Sequence, residues 1–285
     1  FARARALRSL PLDLAIDLQG DVRAVWLMAM TGAKRRAGYA NTGSSALLTD
    51  IVDLDEDLNF VEQNRRAIDT ALGARSPRSP FRWLSPERRR AGREALEARL
   101  VAAGRPRTQA PVIGIHPGAG RAIKEWPVDR YAELARRLSE EFGATLLLTG
   151  SASEANLTAR IREAAPSACL DLAGELGLGA LAEHMSACDA FVSGDTSALH
   201  FACALDVPSV SIFGPSDPGR YFSGGVDGFG GEKPHLVVAA DLWCRPCNLI
   251  RRPPSECSRR PAPECLDGIT VEAVMSACRA LMSRA

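Results

Sequence analysis

No apolar run in this chain is long enough to cross a bilayer. The longest, Ala24 to Met30, falls far short of the roughly 20 residues a spanning helix needs. No secretory signal pattern opens the sequence, and Phe1 is not an initiator methionine, so the start reads as truncated or processed. There is no excess of either charge: 35 basic residues against 34 acidic ones leave +1, which removes the electrostatic case for a nucleic-acid partner. Short-period repeats and low-complexity tracts are also missing, so solenoids and disordered tails are set aside. What remains is a chain of 285 residues, 46% hydrophobic and 24% charged, enough for one large or two ordinary globular domains. Two basic groups stand out, Arg3, Arg5 and Arg8 at the start and Arg88, Arg89, Arg90 and Arg93 in the middle. Solvated helix faces explain them, with an anionic membrane surface as the secondary reading.

From Pro111 onward, apolar strands alternate with helices. Strands are expected near 112–116, 145–149, 168–172, 190–193, 209–213 and 236–239, the pattern of a doubly wound parallel sheet that binds ligands at the carboxyl ends of its strands. Upstream, strands are expected over 12–18 and 50–54, and helices over 21–32, 60–72 and 86–103. That region has βα character but too few strands for a full Rossmann-like domain. The best linker candidate is Ser76-Pro77-Arg78-Ser79-Pro80, and a boundary near residue 105 separates a first domain (1–105) from a second (106–285).

Two stretches carry the chemistry. In the first, the strand ending at His116 breaks into Pro117-Gly118-Ala119-Gly120, and Lys124-Glu125-Trp126-Pro127 leads into a helix over 128–142. Glycines let a backbone approach a phosphate, and Lys124 adds a mobile positive charge. In the second, an apolar strand runs into Ser193-Gly194-Asp195-Thr196-Ser197, and a helix carrying His200 follows at once. Thr196 or Ser197 can cap that helix, whose first N–H groups form a ready anion site. Asp195 and His200, five apart, can border one pocket. His116 closes a strand beside the first loop and is ambiguous between core and pocket. His184 and His235 carry no motif and read as structural.

Eight cysteines are present. Cys169, Cys188, Cys203 and Cys278 fall in apolar strand or helix patterns and read as buried thiols. Cys244, Cys247, Cys257 and Cys265 lie in a loop rich in Pro and Arg, and four thiolates so placed can close a tetrahedral structural site for zinc or iron. Their spacing matches no standard finger, and reduced thiols or one local disulfide are the alternatives.

His116-Pro117-Gly118-Ala119-Gly120 with Lys124-Glu125-Trp126-Pro127, Leu148-Thr149-Gly150-Ser151-Ala152-Ser153-Glu154, Gly194-Asp195-Thr196-Ser197-Ala198-Leu199-His200, Pro208 to Gly214 and Asp13 to Gly20 occur in an order that resembles glycosyltransferase family 9, the ADP-heptose:lipopolysaccharide heptosyltransferases. The resemblance covers nearly the whole chain. It implies a GT-B architecture of two Rossmann-like domains, the N-terminal one incomplete here and on the acceptor side, the C-terminal one binding the nucleotide-sugar. It implies inverting transfer of heptose from ADP-heptose to an inner-core lipopolysaccharide acceptor at the membrane surface by a cytoplasmic protein, peripheral attachment to the inner membrane being left open. No cofactor is implied for catalysis, and the oligomeric state is not fixed. Gly118, Ala119 and Gly120 would lie near the diphosphate and Lys124 would pair with it. Glu154 would accept from the ribose, its alternative being a helix N-terminal acid. Leu176 and Leu178 would flank the adenine. Asp195 would meet the sugar, Thr196 and Ser197 the phosphates, and His200 would support phosphate or helix. Lys124 and Asp195 are the candidate catalytic residues. The family's proposed base sits on a Gly-Asp turn that no segment here supplies, so the base is expected upstream of Phe1. Some relatives that modify autotransporters carry a metal finger in the cysteine loop. A non-catalytic ADP-sugar-binding module and a protein heptosyltransferase are the alternative readings.

Overall fold

The structure, a computed structural model, describes residues 6–40, 43–55, 57–77, 83–105, 110–224, 226, 233–247, 257 and 263–283. Arg3, Arg5 and the linker residues Arg78, Ser79 and Pro80 lie outside them. By packing, the chain divides into two compact units, Phe1–Ser79 and Pro80–Ala285.

The first unit holds three parallel strands, β1 (Leu14–Ile16), β2 (Arg35–Tyr39) and β3 (Asp50–Val52), in the order β1-β2-β3. Helix α1 (Val22–Thr31) starts on the Asp21 carboxylate, which accepts from the Arg23 N–H, and stops at left-handed Gly32. Helix α2 (Phe60–Leu72) is capped by Asn59 and stopped by Gly73 in the same way. Strand β2 was not expected from the sequence, because Lys34-Arg35-Arg36 hides the pattern. Arg35 reaches Asp50 across the sheet at 2.5 Å, and Arg36 donates to the carbonyls of Leu47 and Ala33, leaving Ala37, Gly38 and Tyr39 to the core.

The second unit has six parallel strands, β4 (Val112–His116), β5 (Thr145–Leu148), β6 (Cys169–Asp171), β7 (Ala190–Gly194), β8 (Ser209–Phe213) and β9 (His235–Ala239). Their order is β6-β5-β4-β7-β8-β9, so chain direction across the sheet reverses between β4 and β7. Each strand expected in this region is present within a residue or two, because the apolar runs of β4, β5, β7 and β8, buried at all or all but one position, leave little else to form. Helices α3 (Pro86–Ala102), α6 (Leu178–Met185) and α7 (Ser197–Ala204) cover one face, with Leu96, Leu147, Met185, Phe191 and Ala202 in their core. On the other face, α4 (Val128–Phe142), α5 (Ala155–Ala164) and α10 (Val271–Met282) bury Leu134, Leu138, Leu148, Ile161, Ile212 and Met275. Two short helices, α8 (Pro218–Tyr221) and α9 (Glu264–Asp267), complete the unit. The sequence boundary at 105 grouped residues 86–102 with the first domain, whereas α3 packs on α6 inside the second unit. Gly92 lies so close to α6 that a Cβ there would sit 2.3 Å from the Glu183 carbonyl oxygen, and Arg88 pairs with Glu183 at 2.8 Å.

Candidate functional site at the switch point of the second sheet

Strands β4 and β7 are hydrogen-bonded neighbours, with His116 opposite Ser193. The two loops singled out in sequence therefore emerge side by side, at the place where strand order reverses and open α/β sheets form their binding crevice. Lys124 ends a 3-10 turn (Ala122–Lys124) after β4, and its Nζ lies 2.6 Å from Oδ2 of Asp195, which follows β7. Asp195 is only 7% exposed, so the pair is tightly held.

Thr196 occupies the N-cap position of α7, but its side chain makes no capping hydrogen bond. The capping hydroxyl foreseen there is not used, and the first N–H groups of α7 remain uncapped by Thr196. His200 sits one turn further on, its Nδ1 2.9 Å from the Ser223 hydroxyl. Burial holds this imidazole below its ordinary pKa, with Asp195 pulling it up and Lys124 pushing it down. It is therefore neutral at pH 7.

On the other side of Lys124, the loop after β4 packs against the turn after β5. Glu154 closes a capping box, its Oε2 accepting from the Ser151 N–H and hydroxyl, both at 2.7 Å. Its Oε1 stands 4.0 Å from His116 Nε2. Burial pulls the Glu154 carboxyl upward, but the Ser151 bonds and His116 outweigh it and the carboxyl ends below its usual range. Burial likewise lowers His116, whose Nδ1 faces the Thr149 hydroxyl at 3.1 Å. Gly118 is pressed against this carboxylate: a Cβ would fall 1.8 Å from Oε1. Glu154 is thus a helix N-terminal acid in fact, with one oxygen committed and the other facing the Gly118 loop. Ala119 offers its N–H to Glu125, whose carboxyl is raised by burial and by Glu154. Gly120 has open space around it.

Leu176 packs on the core beside α6, while Leu178, the first residue of α6, is 69% exposed. Their loop is tied to the β5 turn by the Gly174 N–H, which donates to the Gly150 carbonyl at 2.9 Å. Glu125, Arg220, Tyr221 and Ser223 also belong to this region and were not foreseen. Glu125 was visible only as part of a motif. For the last three, the Gly214-Pro215-Ser216-Asp217-Pro218 turn at the end of β8 was the available signal. Tyr221 lies beneath Lys124, its ring centroid 5.9 Å from Nζ.

The carboxylates near the first strand are otherwise engaged. Asp17, 4% exposed, accepts from the N–H groups of Gln19, Gly20 and Asp21, and Asp21 caps α1.

The cysteine loop is anchored by Arg245, which donates to the carbonyls of Gly214 and Ala240 at 2.5 and 2.7 Å. All four thiols are free; Cys265 is buried, and Cys244, Cys247 and Cys257 are half-buried. Burial, then neighbouring Cys244 and Cys257, raise the Cys247 thiol, and burial pushes Cys265 to about 11. Among the described residues no group of three or more His, Cys, Asp or Glu is placed to hold a metal ion. The Cys247 thiol instead faces the Cys244 carbonyl at 3.3 Å.

Fold and crevice together define a doubly wound α/β protein of dinucleotide-binding topology, with a cation and an uncapped helix start at its switch point. The sequence model of glycosyltransferase family 9 (heptosyltransferase) matches residues 1–248, and the chain belongs to that family. It is 29% identical over 246 residues to lipopolysaccharide heptosyltransferase 1 of Pseudomonas aeruginosa, covering 85% of this chain and 63% of the relative. It is 30% identical over 223 residues to lipopolysaccharide heptosyltransferase 2 of Escherichia coli K12, covering 75% of this chain and 63% of the relative. The chain thus spans a little over three fifths of the length of these curated relatives. Among solved structures, the fold is similar to that of E. coli ADP-heptose LPS heptosyltransferase II, with a TM-score of 0.73, 23% identity, and coverage of 99% of this chain and 80% of that one.

Proposed function

We propose that this chain acts in an inverting transfer of heptose from ADP-heptose to a lipopolysaccharide core acceptor, within a GT-B architecture. In that arrangement the second unit binds the donor and the first serves the acceptor side. The observation that carries the reading is the Lys124–Asp195 pair at the switch point, beside the uncapped start of α7. Glycosyl transfer passes through an oxocarbenium-like state while negative charge builds on the departing diphosphate. Lys124 and the α7 N–H groups would meet that charge as it forms, already oriented and part-shielded from water. Asp195 would hold the ammonium in place and face the sugar. Gly118, Ala119 and Gly120 would approach the diphosphate by backbone alone, Ala119 doing so by releasing its N–H from Glu125. Glu154 would offer Oε1 to the ribose, Leu176 and Leu178 would border the adenine, and neutral His200 would hold α7 through Ser223. The acceptor hydroxyl must lose a proton to a carboxylate. Asp17 and Asp21 are committed to backbone N–H groups and are not assigned that role. No helix among the described residues is long and apolar enough to cross a membrane, so work on a lipid-anchored acceptor is proposed to take place at the membrane surface.

The test is calorimetry with ADP together with a transfer assay on several acceptors, a protein included. ADP binding with heptose transfer to a core oligosaccharide supports the reading. ADP binding without any transfer marks a non-catalytic module, and transfer to protein alone marks a protein heptosyltransferase. No step runs through a metal. The neighbouring thiols of Cys244, Cys247, Cys257 and Cys265 keep a structural zinc or iron as a secondary proposal. Elemental analysis finding less than stoichiometric metal in chelator-free protein would remove it.

A further inference from the structure

Arg220 is 3% exposed, yet Nε and Nη2 of its guanidinium have no hydrogen-bond partner among the described residues. No carboxylate among those residues forms an ion pair with it. A buried guanidinium without a hydrogen-bond partner is costly, and a native fold that keeps one calls for a group to meet it, a water or a bound ion included. Its surroundings show where that partner would be. The guanidinium carbon lies 6.0 Å from the Tyr221 ring, and Lys124 Nζ lies 5.9 Å from the same ring. The charged neighbours of the Tyr221 hydroxyl include both Arg220 and Asp195. Arg220 therefore borders the Lys124–Asp195 crevice. Lys124 is already neutralised by Asp195 at 2.6 Å, whereas Arg220 pairs with no carboxylate among the described residues. Nε and Nη2 form one edge of the planar fork, the edge that grips two oxygens of a phosphate or carboxylate side by side.

We infer that Arg220 is a second cation of the donor crevice and grips an oxyanion of the bound nucleotide's diphosphate through its free Nε/Nη2 edge. The inference rests on the donor reading given above. It makes a distinctive prediction about stability. Replacing a structural arginine weakens the fold, but removing an unpaired buried charge does not.

The experiment uses the full chain as wild type, Arg220→Met, Arg220→Lys and Lys124→Ala. Each is titrated with ADP, AMP and inorganic pyrophosphate and melted with and without them. Arg220→Met should melt at or above the wild-type temperature without ligand and bind ADP at least 10-fold more weakly. Arg220→Lys, which keeps the charge and loses the fork, should fall between. The loss should be larger for ADP than for AMP; an equal loss for both, or none for pyrophosphate, overturns the assignment to the diphosphate. Wild-type ADP affinity in Arg220→Met, or in Arg220→Lys should Arg220→Met not fold, overturns the inference while leaving the donor reading intact, provided Lys124→Ala still loses affinity. If the wild-type chain binds neither ADP nor pyrophosphate, the donor reading itself has failed, and this inference with it.

Discussion

Replacing Lys124 by Met should weaken both the fold and nucleotide binding, and a double substitution should separate the two effects. Asp195 is 7% exposed, and its one ion-pair partner among the described residues is Lys124 at 2.6 Å. Removing one partner of a buried pair costs about 3–5 kcal/mol, because a carboxylate is left without compensation. The Lys124 side chain keeps 22% exposure, so water reaches the pair and about 2 kcal/mol is the better figure. For a unit of this size that is a fall of roughly 4–8 °C in melting temperature. Lys124→Met/Asp195→Asn removes both charges and should recover most of that loss, giving a coupling energy near ~2 kcal/mol. ADP affinity should not recover. The ammonium's charge-assisted bond to phosphate, about 1.5–3 kcal/mol, is absent in the single and the double variant alike. Calorimetry should therefore show Kd values roughly 10- to 150-fold weaker in both. Wild-type ADP affinity in either variant would refute the placement of Lys124 on the diphosphate. A double variant no more stable than Lys124→Met would refute the view of the pair as one buried unit.

Gly118→Ala should displace the Glu154 carboxylate, since the new Cβ would lie 1.8 Å from Oε1, and so break the Ser151 capping box at a cost of about 1 kcal/mol. In a Glu154→Ala background the same change should cost almost nothing by denaturant titration, and equal costs in both backgrounds would reject this contact. Gly92→Ala meets backbone rather than a movable side chain, the Glu183 carbonyl at 2.3 Å, so α3 and α6 must part at about 1–3 kcal/mol. An unchanged melting temperature would show that α3 is not docked on α6. Acid should destabilise the fold before the carboxylates titrate. Burial lowers His116, His200 and His235 from 6.5, so the unfolded chain binds more protons below that value. Their stabilising contribution is complete above about pH 6.5 and is lost as pH falls toward their folded values, by at most about 1.4 kcal/mol per histidine per pH unit. Denaturant midpoints at pH 7.5 and 5.5 that coincide would contradict this.

The sequence by itself determined the strands of the second unit and the two loops that matter. Runs such as Val112–His116 and Ser209–Phe213 carry no charged residue other than a closing histidine, are rich in Val, Ile and Phe, and are followed by Pro or Gly, which leaves a buried parallel strand as the simplest outcome. It also marked Lys124 and Asp195 as residues of interest. β2 was hidden because its first residues are arginines, whose charges are met by Asp50 and by backbone carbonyls that no local pattern reveals. What only the tertiary structure decided is which groups meet. Lys124 and Asp195 are 71 residues apart and pair because β4 and β7 adjoin at the reversal of strand order. That order is a property of the assembled sheet. Glu154 reads in sequence as a ribose ligand by resemblance, with a helix cap as the alternative, and the position of Ser151 committed one of its oxygens. Nothing in the sequence sets Arg220 apart from the other arginines. Its burial beside Tyr221, with two donors unused, arises only when α8 folds back over the end of β8, because burial and partnership are set by neighbours distant in the chain.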